Sequence, residues 1–168
     1  NFWLASGYSS GEKDKLRYVF NWNYKRFPEP EKFFENMNAR GINVIPNLKP
    51  GILKHHPYID LFEKNDVFIK TPDGKAPYYG RWWGGEGRFF DLLEENILKK
   101  GTKTVWNDNC EMDGVEDRDA QCDFEGKKGT MAELKILHSN LMAYTAKQAL
   151  ADVYPGERPY IINRAGYA

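Results

Sequence analysis

The sequence predicts an α/β domain built on a parallel β-sheet, and two observations lead to that fold class. Strand-like and helix-like segments alternate along the chain, so that the order strand, helix, strand occurs three times. Each strand-like segment is short, apolar and bounded by turn residues, as buried parallel strands are. A doubly wound sheet and part of a (β/α)8 barrel are both compatible with this order. The predicted strands are 2–5, 42–45, 104–106 and 160–162.

Three helices are predicted between these strands. The first, over 30–40, begins with Pro30 at an early helical position and ends before Gly41. The second covers 92–100, and the third and longest covers 130–153. Each has apolar residues three or four positions apart, which places them on one face. These apolar residues are Phe33, Phe34 and Met37; Leu93 and Ile97; and Leu134, Leu137, Leu141 and Tyr144.

Long excursions leave the carboxyl ends of the first two strands, over 6–29 and 49–91, and this is the side on which α/β enzymes place their sites. The segment 66–80 has a β-prone run followed by Thr-Pro-Asp-Gly, a turn sequence. We interpret 66–80 as an inserted hairpin flap. Because both chain ends interrupt the alternation, we expect 1–168 to be one partial domain, truncated at both ends.

The composition excludes several classes of partner. Twenty-four Lys and Arg balance twenty-four Asp and Glu, so no excess positive charge is available to neutralise nucleic acid or an anionic membrane. No apolar run approaches the length of a membrane span, and no targeting segment is visible. Two cysteines cannot build a disulfide framework, which favours a reducing compartment. We therefore expect a cytoplasmic protein, and an oligomer is compatible with the sequence.

The densest cluster of polar residues, 106–111, follows the third predicted strand. Asp108 lies there beside Trp106, in the position where a barrel or doubly wound enzyme meets its substrate. The alternative is that Asp108 caps the next segment and Trp106 belongs to the core, and spacing alone leaves both open. Trp83 also has two interpretations: it forms either a sugar-stacking platform or aromatic packing under a glycine turn.

Metal and cofactor sites are not predicted. The acidic stretch over 113–125 lacks the spacing of a calcium-binding loop, and the adjacent His55 and His56 would point in different directions. No glycine-rich phosphate-binding motif follows any strand, which disfavours a nucleotide-binding domain. His138, on the third helix, is expected at the surface or in an interface.

Five segments, in this order along the chain, resemble those of glycoside hydrolase family 31 and together span essentially the whole sequence. The resemblance implies part of a (β/α)8 TIM barrel, with about four parallel strands, helices and a β-hairpin insertion. It also implies an α-glucosidase or α-transglucosylase that acts on α-linked gluco-oligosaccharides. The segments are Phe-Trp-Leu-Ala-Ser-Gly-Tyr (2–8), Tyr-Val-Phe-Asn-Trp-Asn with Arg-Phe-Pro-Glu-Pro (18–23 and 26–30), Asn-Leu-Lys-Pro-Gly (47–51), Val-Trp-Asn-Asp-Asn-Cys-Glu (105–111) and Ile-Ile-Asn-Arg-Ala-Gly-Tyr-Ala (161–168).

The resemblance also assigns roles to individual residues. Asp108 resembles the nucleophile, Trp106 the apolar wall beside it, and Arg164 the arginine that grips the sugar's hydroxyls; an internal ion pair of Arg164 with Asp108 or Glu111 is the other interpretation. We group Glu111 and Trp83 with the substrate-binding residues.

Two departures from the family's pattern are visible. The family's first strand-end motif usually ends in an acidic residue that holds the far hydroxyls of the sugar, and the matching position is Gly7. This predicts a site that tolerates substitution at that end of the glucose. In addition, Arg-Phe-Phe-Asp (88–91) runs directly into the predicted second helix, where the family has a longer stretch.

The implied reaction is a double displacement through a covalent glycosyl-aspartate. The family's acid/base aspartate would follow the arginine motif, beyond residue 168, so we expect the chain alone to be inactive. The alternative is a non-catalytic carbohydrate-binding protein with the same barrel.

Overall fold

The computed structural model describes residues 1–90, 102–124 and 126–166. Over these residues the chain forms strands, helices and one short 3-10 helix at Ser6–Ser9. The helices are α1 (Pro30–Ala39), α2 (Ile59–Lys64) and α3 (Met131–Val153). The strands are β1 (Phe2–Leu4), β2 (Val44–Leu48), β3 (Gly51–Leu53), β4 (Gly80–Trp82), β5 (Gly85–Phe89), β6 (Thr104–Asn107), β7 (Gln121–Phe124), β8 (Lys127–Thr130) and β9 (Tyr160–Asn163).

The main sheet is parallel and has the order β1-β2-β6-β9. Helix α1 packs against β2, and α3 packs against β6 and β9. Each of the four predicted strands is present in this sheet. Two antiparallel units accompany it, a three-stranded sheet of order β3-β5-β4 and the β7-β8 hairpin. The predicted α/β class with a parallel sheet is therefore the one observed.

Strand β2 begins later and ends later than predicted. Glycine at position 41 has φ +69°, and the N–H of Ile42 donates to the carbonyl of Met37, so these residues terminate α1 instead of opening the strand. The strand then continues through Pro46, although proline lacks a donor for the strand ladder. The shift matters because it brings Asn47 to the strand's carboxyl end.

Helices α1 and α3 agree with their predicted positions within a residue or two. Pro30 opens α1, and Thr130 precedes α3 as its N-cap. Glu133 reaches back to accept the N–H of Thr130 at 3.0 Å, which satisfies one of the unpaired donors at the helix start. The helix predicted over 92–100 lies outside the described residues. No helix in the described ranges is both long and apolar enough to cross a bilayer.

The segment 66–80 contains a hairpin-like turn. The Gly74 N–H donates to the Thr71 carbonyl, and its two sides are joined by the N–H of Thr71 donating to Ala76 at 2.8 Å and by the N–H of Tyr78 donating to Ile69 at 2.8 Å. Phe68 and Ile69 are fully buried, and the Phe68 ring stacks on Phe90 with 5.4 Å between centroids. Phe68 and Ile69 are therefore core residues, and their role in a flap over a site stays a prediction.

His138 is buried within the fold, so its predicted position at the surface or in an interface is wrong. The side chain lies on α3, packs against Phe124 with 5.4 Å between ring centroids, and has its Nδ1 3.2 Å from the Cys110 carbonyl oxygen. Burial lowers the pKa of His138 to about 4, against the smaller opposing effect of carbonyl oxygens from Cys110 and Phe90. The His138 ring is therefore neutral in the native state at neutral pH.

This burial predicts a pH dependence of stability. Between pH 6.5 and about 4 the unfolded state binds a proton at His138 that the native state does not, so stability falls as the pH falls through that window. The full loss is on the order of 3 kcal/mol. The thermal midpoint of the full-length protein is expected to drop less between pH 6.5 and 4.5 in His138→Gln, which retains an N–H donor. Parallel curves for the two proteins would contradict this.

Candidate active site

Polar side chains from three neighbouring strands meet at the carboxyl edge of the parallel sheet. Asn47 is in β2, while Asp108 and Arg164 directly follow β6 and β9. The backbone N–H of Asp108 donates to Leu48 at 2.8 Å, and that of Arg164 donates to Asn107 at 3.0 Å. Strand pairing thus continues past the ends of β6 and β9 and fixes the backbone from which both side chains project.

The Asp108 carboxylate accepts hydrogen bonds on both of its oxygens. Oδ2 accepts from Asn47 Nδ2 at 3.0 Å and from the Lys49 ammonium. Oδ1 accepts from Arg164 Nη1 at 3.1 Å and from the Asn109 backbone N–H at 3.0 Å. Asp108 is only 8% exposed, so these donors replace most of its contact with water. The arrangement stabilises the ionised carboxylate.

The electrostatics of Asp108 follow from this geometry. Burial by itself would raise the pKa of the carboxyl. Hydrogen bonds from Lys49, Asn47 and Arg164, together with the Lys49 charge, outweigh that effect and leave the pKa of Asp108 below its ordinary value. The side chain is therefore an anion at neutral pH, which is the state that a nucleophilic carboxylate needs.

Arg164 connects Asp108 to Glu111. Its Nη1 donates to Asp108, and its Nε lies 2.6 Å from Glu111 Oε1. The Arg164 side chain is 47% exposed, so one side of the guanidinium faces solvent. The internal ion pair considered for Arg164 is present, and it leaves the exposed side of the group available to a ligand.

A cleft of about 390 Å³ opens beside this ion pair. Trp83, in the turn between β4 and β5, is 61% exposed and stands at the cleft, with its Nε1 3.3 Å from Asn109 Oδ1. Its neighbour Trp82 packs against Phe89, with 5.0 Å between ring centroids. Asp108 is not itself among the lining residues, but its hydrogen-bond partners Asn109 and Arg164 are. The cleft is lined by Arg81, Trp82, Trp83, Asn109, Glu111, Asp113, Gly114 and Arg164.

Trp106 shares a face of β6 with Asp108, because side chains two apart on a strand point the same way. Its ring meets Trp3 of β1 edge to face, with 5.4 Å between centroids. Trp3 itself is 50% exposed. The role of Trp106 as an apolar wall beside the sugar stays a prediction.

Gly7 lies in the 3-10 helix that follows β1, at the same edge of the sheet. A Cβ built on Gly7 would have Arg26 Nη1, at 3.7 Å, as its nearest neighbour. This is an ordinary contact distance, so the position has room for a Cβ. The tolerance of the site for a substituent at this end of the glucose stays a prediction.

Sequence reasoning missed Asn47 and Lys49 as site residues. Both belong to the Asn-Leu-Lys-Pro-Gly segment, but the predicted strand ended at Ile45, which left Asn47 outside the strand and Lys49 at the start of an excursion. Lys49 is 8% exposed although it carries a charge, and buried lysines are nearly always paired. The signal that could have found them is a polar residue and a cation placed directly after a buried apolar run. In the parts of the chain that the structure describes, no group of three or more His, Cys, Asp or Glu residues gathers as metal ligands would.

Comparison with known proteins gives a consistent result. Residues 1–168 match the family described as "Glycosyl hydrolases family 31 TIM-barrel domain". The chain is 25% identical over 168 residues to alpha-glucosidase 2 of Bacillus thermoamyloliquefaciens, covering 89% of this chain and 21% of that protein. It is 23% identical over 192 residues to the neutral alpha-glucosidase AB of Sus scrofa, covering 99% of this chain and 19% of the relative.

The fold comparison agrees with the sequence comparison. The structure superposes on a Flavobacterium johnsoniae GH31 dextranase complexed with glucose with a TM-score of 0.78 at 18% identity, covering 99% of this chain and 22% of the other. Of the two architectures that the strand order allowed, the TIM barrel is therefore the one present. The chain spans about a fifth of the length of these relatives.

Proposed function

The chain belongs to glycosyl hydrolase family 31, of whose TIM barrel it forms part, and we propose that the whole protein is a retaining α-glycosidase or α-transglycosylase with Asp108 as its nucleophile. The observation that carries the proposal is an ionised carboxylate at the carboxyl edge of the barrel strands, next to an arginine that is half exposed to a sugar-sized cleft. The relatives named α-glucosidase and the dextranase bound to glucose support an α-linked gluco-oligosaccharide as the substrate.

The chemistry is a double displacement at the anomeric carbon. An oxygen of Asp108 bonds to that carbon while the glycosidic bond breaks and an acid protonates the departing oxygen. Water or a sugar hydroxyl then attacks the same carbon, gives its proton to the same acid/base, and the electron pair of the ester bond returns to Asp108. We place the acid/base outside the 168 residues, as the family pattern implies.

The described side chains supply the sugar's polar and apolar contacts in this proposal. Arg164 donates to hydroxyls from its exposed side, and Glu111 keeps its guanidinium plane in place through the 2.6 Å ion pair. The exposed indole of Trp83 offers a flat apolar face of the kind that sugar rings pack against. Binding in the cleft would bring an anomeric carbon towards the Oδ1 side of Asp108.

The stereochemistry of the product tests the proposal. We expect the full-length protein to release the α-anomer first from an α-glucoside, as followed by proton NMR before mutarotation. First release of the β-anomer would contradict a glycosyl-aspartate. Binding of the sugar with no turnover would instead favour the non-catalytic carbohydrate-binding protein.

Gly7→Asp is expected to narrow the substrate range. The new carboxylate would occupy the free space at this position and accept hydrogen bonds from the far hydroxyls of the glucose, where a substituent would now be excluded. The ratio of kcat/KM for a glucoside substituted at that end to kcat/KM for a simple aryl α-glucoside should fall about tenfold. Gly7→Ala, which adds only a Cβ, is the matched control. An unchanged ratio in Gly7→Asp would remove the idea.

A further inference from the structure

The two oxygens of Asp108 have different surroundings. Oδ2 is held by Asn47 and Lys49, which are 3% and 8% exposed. Oδ1 is held by the Asn109 backbone and by Arg164, whose side chain is 47% exposed and lines the cleft. Arg164 and Asn109, the partners of Oδ1, line the cleft of about 390 Å³, whereas Asn47 and Lys49 line a cavity of about 10 Å³, which is too small for a sugar ring. The sugar-sized cleft is therefore on the Oδ1 side of the carboxylate.

Lys49 is itself fixed from a second direction. Its ammonium donates to Asn109 Oδ1 at 2.5 Å, and the same oxygen accepts from Trp83 Nε1 at 3.3 Å. Asn109 has φ +55°, a left-handed conformation that asparagine tolerates better than most residues, and this orients its side chain back towards Lys49. The Lys49 nitrogen also lies 6.0 Å from the centroid of the Trp83 ring. Lys49 therefore has partners other than Asp108 that hold its ammonium beside Oδ2.

We propose that Lys49 is a positioning residue that acts through Asp108, and that its main effect is on the second half of the reaction, when the carboxylate leaves the anomeric carbon. This inference rests on the proposed function. In the glycosyl ester Oδ1 is bonded to the sugar and Oδ2 is the carbonyl oxygen. When water or a sugar hydroxyl attacks, the bond from the anomeric carbon to Oδ1 breaks and its electron pair spreads over both oxygens, while the proton passes to the acid/base.

The direction of the effect follows from where charge develops. In the first half reaction the carboxylate loses its negative charge, so the attraction of Lys49 opposes the step or leaves it little changed. In the second half the charge returns to Oδ2, directly against the ammonium, so Lys49 stabilises that transition state. Asn47 donates to the same oxygen and adds a neutral contribution of the same sign.

Lys49→Met in the full-length protein tests the inference, because methionine keeps the length of the side chain and removes the charge. With an aryl α-glucoside, whose good leaving group makes the second step rate-limiting, kcat should fall about 10²-fold. The ratio kcat/KM, which reports the first half reaction, should change less than about tenfold, so that KM falls with kcat. Rapid quenching and mass spectrometry should find most of the enzyme as the glycosyl-Asp108 ester.

Lys54→Met and Lys49→Arg are the controls for this experiment. Lys54→Met makes the same chemical change at an exposed lysine that pairs with Glu86, and should leave both constants unchanged. Lys49→Arg should recover part of kcat and reduce the accumulated ester.

If kcat and kcat/KM fall together in Lys49→Met without ester, Lys49 has only a structural role and the inference is overturned, while the proposed function stands. If the wild-type enzyme forms its ester on another residue, both the proposed function and this inference are wrong.

Discussion

Asp108→Asn is expected to lower kcat/KM for an α-glucoside by about 10⁴-fold, because the amide has nearly the shape of the carboxylate but cannot act as the nucleophile. The buried Lys49 would also lose its charged partner in this variant, so some loss of stability is expected together with the loss of activity. Steady-state kinetics on the full-length protein, with a thermal melt of the same preparation, measure both.

The control for this variant is Asp152→Asn, which makes the same change at an exposed residue of α3 that is not among the residues lining the cleft. It should retain wild-type kcat/KM. Activity in Asp108→Asn within tenfold of the wild type would show that the carboxylate is not the nucleophile.

Arg164→Met is expected to have the second largest effect, a fall in kcat/KM of about 10²- to 10³-fold. The substitution removes the donor to Asp108 Oδ1 and the charge that pairs with Glu111. Without Arg164 the pKa of Asp108 is less depressed, so the acid limb of the kcat/KM profile should move to higher pH. A pH series of initial rates measures the two effects separately.

Arg158→Met is the matched control, since Arg158 is an exposed residue between α3 and β9 and is not among the residues that line the cleft. It should leave both the rate and the profile unchanged. An Arg164→Met profile that falls uniformly, with the acid limb in its original place, would mean that Arg164 has no electrostatic effect on the nucleophile.

The regular parts of the fold were predictable because their signals are local. Proline at the start of α1, glycine after it and the apolar stripe of α3 are each read within a few residues, and the four short apolar runs mark the parallel strands. The three-stranded antiparallel sheet was missed because its strands are rich in glycine, which usually indicates a turn. A Cβ at Gly87 would lie 2.7 Å from the Cβ of Trp82, so here glycine permits close packing inside the sheet.

Part of the site was predictable because its residues directly follow predicted strands. Asp108 and Arg164 each follow a strand, so their common location needs only the rule that parallel strands end at one edge. Lys49 required knowledge that β2 continues through a proline, and His138 required the packing of α3 against β6 and β7. The surroundings of Lys49 and His138 depend on tertiary packing. The neighbouring residues in sequence do not reveal which charged or aromatic groups will enclose these two side chains.

The identity of the residue that carries the sugar is the central claim, and trapping it is the most direct measurement. The full-length enzyme would be incubated with a fluorinated glucosyl fluoride that forms the ester quickly and hydrolyses it slowly, then digested and mapped by mass spectrometry. The account predicts a single glycosylated peptide containing residues 105–111, with the label on Asp108. A label on Glu111 or on any other residue would contradict it.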